Sequence, residues 1–226
     1  MRKDFISNVS HEFRTPLTVI KGNLESIVDG MTKPEYIVET CVTLIKETNR
    51  LERMVKDLLN LSKLESGKLE IDFHQLDVNM LINDTIRSLK PLIDNKSIDF
   101  QLSMEDKLPP LNSDYDKLKQ LLIIFIDNAI KFSENKSELK VATYSNKNKV
   151  YISIKDNGVG IPKDEIQYLG ERFYKSDKAR SSNIDGTGLG LSIAKRLVKV
   201  LNGEFSIESE LGKGTTITIS FSIKQY

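Results

Sequence analysis

The sequence predicts a molecule in two parts. Residues 1–66 read as an all-α helical hairpin, and residues 67–226 as an α+β layer with helices on one face of a mixed sheet. Three observations predict this. Apolar residues recur at helical spacing throughout the first part. That spacing stops at Gly67. Beyond it, strand-like and helix-like runs mix without the strict alternation of a doubly wound fold.

In the hairpin, Phe5, Val9, Phe13, Leu17, Ile20, Leu24 and Ile27 recur at spacings of three and four. Ile37, Cys41, Leu44, Thr48, Leu51, Val55 and Leu58 alternate four and three, a heptad seam with Thr48 its only polar member. Asp29, Gly30 and Lys33 punctuate the connection, and Pro34 suits a helix start. Two helices cannot bury both stripes alone. Pairing two hairpins into a four-helix bundle buries them; the alternative is a hairpin docked on the same chain's second half. Cys41, the single cysteine, lies on the stripe and reads as a buried structural thiol.

In the second part, 69–73 alternates like a strand and 78–93 reads as a helix starting near Asp77. Residues 98–102 read as a strand, and 115–132 as a helix whose apolar middle, 121–126, must be buried. A strand pair follows at 138–144 and 149–156. Residues 192–201 read as a helix, and 204–209 with 215–223 form a closing hairpin. The boundary falls near 66–68.

The chain carries 33 basic and 32 acidic residues, a balance without the charge excess of a nucleic-acid-binding protein. No run of 18 apolar residues spans a bilayer, and polar residues interrupt any signal-peptide core. These features lead us to expect a soluble protein in a reducing compartment.

Three glycine clusters occupy the last third: DNGVG at 156–160, GTGLG at 186–190 and GKGT at 212–215. Together they suggest one pocket built around a nucleotide. Asp156 ends a strand, and its carboxylate suits an exocyclic amine such as adenine's; a simple DNG turn is the alternative. The second cluster runs into an amphipathic helix, whose free N–H groups suit phosphate. It fits neither the P-loop nor the Rossmann spacing. In DNAIKF (127–132), the Asn128 amide oxygen suits Mg2+, Lys131 meets phosphate charge from the same face, and Phe132 stacks on a base. Asp127 points elsewhere on this reading. The alternative is a helix that merely surfaces here.

His11 and Thr15 stand one turn apart on one helical face. Glu12 is offset by about 100° and reaches the imidazole by swinging. Pro16 removes a backbone donor beside His11, which predicts a bend. An imidazole is nucleophilic through its unprotonated ring nitrogen. His74 has no comparable company and reads as structural.

SHEFRTPLT (10–18) resembles the phosphoacceptor box of sensor histidine kinases. DNAIKF, DNGVGIP, ERFYKSD, GTGLGL and GKGTTITISF resemble that family's nucleotide-binding boxes, in the family's order. The resemblance covers essentially the whole chain. It implies a dimerisation and histidine-phosphotransfer hairpin at 1–66 and a Bergerat-type ATP-binding domain at 67–226. His11 is then the acceptor of the γ-phosphoryl group of ATP and Glu12 its general base. Thr15 positions a water that dephosphorylates a response regulator receiver domain. Asn128 binds Mg2+, Lys131 the phosphates, Asp156 the adenine amine, and Phe132 lies against the base. Gly158, Gly160, Gly186, Thr187, Gly188, Leu189, Gly190 and Thr215 shape the pocket and a mobile lid over 171–185, which carries Phe173 and Lys175. A homodimer is implied, with the parent protein in the bacterial cell membrane and this part a cytoplasmic core lacking upstream sensor and membrane segments.

One departure stands out. Four positions before Asn128, where the family commonly has a polar residue, this chain has Ile124. Isoleucine cannot activate water, which favours transfer to histidine over ATP hydrolysis. It also motivates an alternative, a nucleotide-sensing dimer module with little kinase turnover. A predominantly phosphatase protein using Thr15 is a third reading.

Overall fold

Two long helices open the chain in the computed structural model, which describes residues 2–67, 69–176 and 186–223. Helix α1 (Arg2–Val28) runs through Pro16 as one helix. A 3-10 turn at Pro34–Tyr36 leads into α2 (Ile37–Glu65), which packs back along α1. Proline serves as the expected opener, because the missing N–H has no intrahelical partner there.

After the hairpin, residues 69–73 form no strand. Leu69 and Ile71 pack on the core, so the alternation reflects a linker with one face inward. The strand comes next: β1 (His74–Leu76) pairs antiparallel with β3 (Leu111–Ser113), an element not legible in the sequence. His74 lies at the surface, its Nε2 2.7 Å from Asp72 Oδ1.

Helix α3 (Val78–Asn95) is capped by Asp77, whose Oδ1 accepts the Met80 amide at 3.0 Å. Helix α4 (Tyr115–Phe132) is capped by buried Asp114. Asp114 accepts the Lys117 amide through Oδ1 and the Asp72 amide through Oδ2, both at 3.0 Å, fixing helix start and linker together.

The main sheet has the order β2-β4-β5-β7-β6, with β2 (Asp99–Met104), β4 (Glu138–Asn146), β5 (Lys149–Asp156), β6 (Gly203–Glu210) and β7 (Gly214–Ser222). The β2–β4 pair is parallel and the others antiparallel, the mixed sheet expected. The β4–β5 turn is shorter than the sequence reading gave, since pairing extends to Asn146 and Lys149.

A short helix α5 (Lys163–Ile166) and α6 (Gly190–Val200) stand on either side of residues 171–185. Leu118, Leu121, Leu122, Phe125 and Ile126 of α4 are fully buried with Leu139, Val141, Ile152 and Ile154 of the sheet. Only one end of the hairpin joins this core: Leu61 and Leu64 are buried in it, and α2 packs against α6.

Among the described residues the heptad seam is only partly covered: Leu44, Leu51 and Leu58 are half-buried, whereas Ile37, Cys41 and Val55 are exposed. Cys41 is exposed, contrary to the expected buried thiol, because that height of α2 has no neighbour beyond α1.

Candidate functional site

A cavity of about 680 Å³ opens between α4, the carboxyl end of β5, the start of α6 and one side of α2. Asp156 anchors its floor. As the last residue of β5 it pairs with Thr215 at the start of β7. Its Oδ1 accepts two backbone donors, Gly158 N at 2.9 Å and Thr215 N at 3.2 Å. Burial pushes the carboxyl above the ordinary range, and the two amide bonds oppose that shift.

The α4 wall presents Asn128, Lys131 and Phe132. Asp127 also lines the cavity, correcting the reading that it points elsewhere. Its Oδ2 stands 2.5 Å from Lys131 Nζ. A pair at i and i+4 shares one helix face, and that spacing was the signal available. Ile124 lies one turn before Asn128 in the same wall. Its Cγ2 is 3.6 Å from where a Cβ on Gly190 would sit, so apolar packing occupies the position.

The glycine segment Gly186, Thr187, Gly188 and Gly190 closes one side, with Gly160, Lys175 and Thr215 also in the lining. Gly188 has φ +71, and a Cβ there would lie 2.9 Å from Phe173 Cα. The conformation and the close approach both require glycine. Helix α6 begins without a side-chain cap, two residues earlier than the sequence suggests, and Gly190 and Leu191 of its first turn line the cavity. Uncapped N–H groups at this place suit an anion.

Three expected pocket residues stand elsewhere. Leu189 is fully buried in the core. Phe173 packs on Phe5 of the hairpin, ring centroids 5.9 Å apart. Gly158 backs onto the end of α4 rather than lining the cavity. Most of the expected lid, 177–185, lies outside the described residues.

Helix α2 supplies Arg53, Lys56, Asp57 and Asn60 to the cavity, which sequence reasoning missed. Thr187 Oγ1 donates to Asp57 Oδ2 at 2.8 Å and accepts the Leu189 amide at 3.3 Å. Burial raises the Asp57 carboxyl, opposed by the Thr187 bond and by the charges of Lys131, Arg53 and Lys56. Met54, Leu61 and Leu64 form a second apolar stripe on α2, off the heptad seam, and all three are buried. That stripe was the signal for a second packing partner.

His11, Glu12 and Thr15 lie on α1, outside the lining. His11 is exposed, and Thr15 Oγ1 donates weakly to the His11 carbonyl at 3.4 Å. Glu12 Oε2 faces Arg50 Nη2 at 3.5 Å and Lys175 Nζ at 3.7 Å. Helix α1 and the cavity thus meet at Lys175, which belongs to both neighbourhoods.

Among the described residues no group of three His, Cys, Asp or Glu side chains forms a metal cage. A single amide oxygen from Asn128 fits a magnesium ion whose remaining ligands are phosphate oxygens and water.

Residues 1–67 match the His Kinase A (phospho-acceptor) domain, and residues 113–225 match the histidine kinase-, DNA gyrase B- and HSP90-like ATPase family. The chain belongs to the sensor histidine kinase family. It is 35% identical to the sensor protein SrrB of Staphylococcus aureus (strain N315) over 97% of its length, spanning 38% of that protein. It is 36% identical to the signal transduction histidine-protein kinase ArlS of Staphylococcus epidermidis over 98% of its length, spanning 48% of that relative. The chain therefore covers less than half of these curated relatives. The structure of the Acinetobacter baumannii histidine kinase AdeS superposes with a TM-score of 0.77 at 26% identity, covering 95% of this chain and 98% of that one. The histidine kinase family places its phosphoacceptor and ATPase domains in the order found here, and both the hairpin and the sheet domain agree with it. No helix among the described residues is long and apolar enough to cross a membrane.

Proposed function

We propose that this chain is an ATP-dependent protein-histidine autokinase core that phosphorylates His11 and passes the phosphoryl group to an aspartate of a response regulator receiver domain. The observation that carries this reading is the Lys175–Glu12 ion pair. It ties a cavity-lining residue to the residue beside the exposed His11.

Asp156 would accept the adenine amine, and Phe132 would lie against the base. Lys131 and the amides at the start of α6 would hold the phosphates. Asn128 would hold Mg2+, which neutralises phosphate charge during transfer. An imidazole nitrogen of His11 attacks the γ-phosphorus as the bond to the β–γ bridging oxygen breaks. ADP leaves, and the ring proton passes to Glu12. For Glu12 to act so, it must exchange Arg50 and Lys175 for the imidazole, which requires the two domains to shift.

Hydrolysis of regulator phosphate with Thr15 placing the water belongs to the same proposal. So does a homodimer in which a second hairpin covers the exposed stripes, with the parent protein anchored in the membrane and this part on the cytoplasmic side. The apolar packing at Ile124 supports transfer over hydrolysis of ATP.

The test is incubation with γ-labelled ATP and Mg2+, comparing the native chain with His11→Gln. Acid-labile, base-stable label that disappears in the variant is the expected result. Label persisting in His11→Gln would overturn the choice of acceptor.

A further inference from the structure

The last turn of α4 carries Lys131 and Phe132 into the cavity, with Asn128 one turn earlier. Four carbonyls at a helix end lack intrahelical donors, and here every one has a partner. Ala129 O accepts the Ser133 amide at 3.1 Å, and Phe132 O accepts the Val159 amide at 3.2 Å. The other two, with the Ser133 carbonyl, converge on one ammonium group. Lys96 Nζ donates to Ile130 O at 2.8 Å, Lys131 O at 2.8 Å and Ser133 O at 2.9 Å. An ammonium has three donors, and each finds a carbonyl.

We propose that Lys96 is a positioning residue for the nucleotide site, a role that rests on the reading of the cavity as an ATP site. Lys96 does not line the cavity itself. It stands at the end of α3, its own carbonyl accepting the Lys136 amide at 3.1 Å, so the ammonium comes from a fixed base. A cation at a helix C-terminus is favoured by the helix dipole. Burial lowers the Lys96 pKa by taking water from the ammonium, and the three carbonyls stand in the place of that water.

The effect extends to the adenine side. The turn after Asp156 is pressed onto the same helix end: a Cβ on Gly158 would come within 2.4 Å of Phe132 O. The Val159–Phe132 bond joins the two walls. Lys131 is held at both ends, its carbonyl by Lys96 and its ammonium by Asp127. Without Lys96 the last turn loses its donors, Lys131 and Phe132 leave their places, and the joint to Val159 loosens.

The experiment compares the full chain with Lys96→Met, which keeps the aliphatic stem, and Lys96→Arg, which keeps the charge on a planar fork. Two readouts are taken: amide hydrogen exchange, and the affinity for a non-hydrolysable ATP analogue with Mg2+ by calorimetry. For Lys96→Met, the Ser133 and Val159 amides exchange about tenfold faster while 121–126 are unchanged, and analogue affinity falls about tenfold. A planar guanidinium cannot address three carbonyls around one point, so Lys96→Arg loses about threefold in each. Unchanged exchange at both amides overturns the proposal. So does faster exchange with unchanged affinity, which would make the lysine structural only. If Lys96→Met gives no cooperative melt, Lys96→Arg decides, and wild-type values in both readouts overturn the proposal. If the native chain binds no analogue, the ATP reading fails, while the exchange arm still decides whether Lys96 holds the turn.

Discussion

In α4, Leu118, Leu121, Leu122, Phe125 and Ile126 are fully buried, whereas on the hairpin's stripes Leu17 stands 52% exposed, Leu24 48% and Val55 44%. Both regions read as apolar stripes at helical spacing. The difference lies in where the covering surface comes from. The sheet domain closes its core with its own strands, because β4, β5 and β7 lay alternate side chains against α4. The hairpin has two helices and no third layer, so its stripes wait for another surface. An apolar stripe thus reports that a partner exists, without saying which chain supplies it.

Removing a core anchor breaks the comparison most severely. Phe125→Ala should cost about 3–5 kcal/mol in denaturant unfolding, while Ile45→Ala should leave the sheet domain's transition within about 0.5 kcal/mol. Equal losses would mean that the part of the hairpin around Ile45, and not only its end at Leu61 and Leu64, is packed into the sheet domain's core. Next in size is Leu24→Asp. If a second copy covers the stripe, a carboxylate buried without a partner should weaken dimerisation about a hundredfold, seen by sedimentation velocity, with the sheet domain's melt unchanged. Sedimentation like the native chain's would assign the stripe to something other than a second hairpin.

The smallest effect sharpens the comparison at the cavity floor. Asp156→Asn should reduce affinity for the ATP analogue about tenfold. In the native chain, burial raises the Asp156 pKa, so the carboxylate is lost earlier as pH falls. Analogue affinity should therefore decline on acidification, through the raised pKa, and calorimetry at stepped pH reads it. Folding stability carries the opposite sign. A raised native pKa means this group's contribution falls as pH rises from the ordinary carboxylate value to the raised one. A pH-independent affinity would remove Asp156 from recognition.

Much of this arrangement was legible because local chemistry and tertiary structure agree. The helix at 115–132 was read to the residue from its apolar middle, and the Asp114 cap seen in the structure points the same way. The pocket motifs were legible because three glycine clusters and an acid at a strand end occur together, although each alone also reads as a turn. What escaped depended on distant surfaces. The strand β3 is three residues long and exists only through β1. The alternation at 69–73 found a core to face but no strand to pair with. Phe173 reads as a pocket aromatic until Phe5, far away in sequence, supplies a ring beside it. The contribution of α2 was hidden for the same reason, since docking against α6 brings Asp57 to Thr187.

That docking has a mechanical consequence. Arg53, Lys56, Asp57 and Asn60 occupy one side of α2 and form part of the cavity wall, so the site is owned jointly by two domains. Turning α2 about its axis by one residue's worth, about 100°, would carry that entire side out of the wall. If the cavity holds a nucleotide as proposed, such a turn of the hairpin would change the wall the nucleotide meets and hence its affinity. By thermodynamic reciprocity, a bound nucleotide resists or assists the same rotation by an equal free energy. On the proposed reading, the cavity would then register helix orientation as well as hold its ligand.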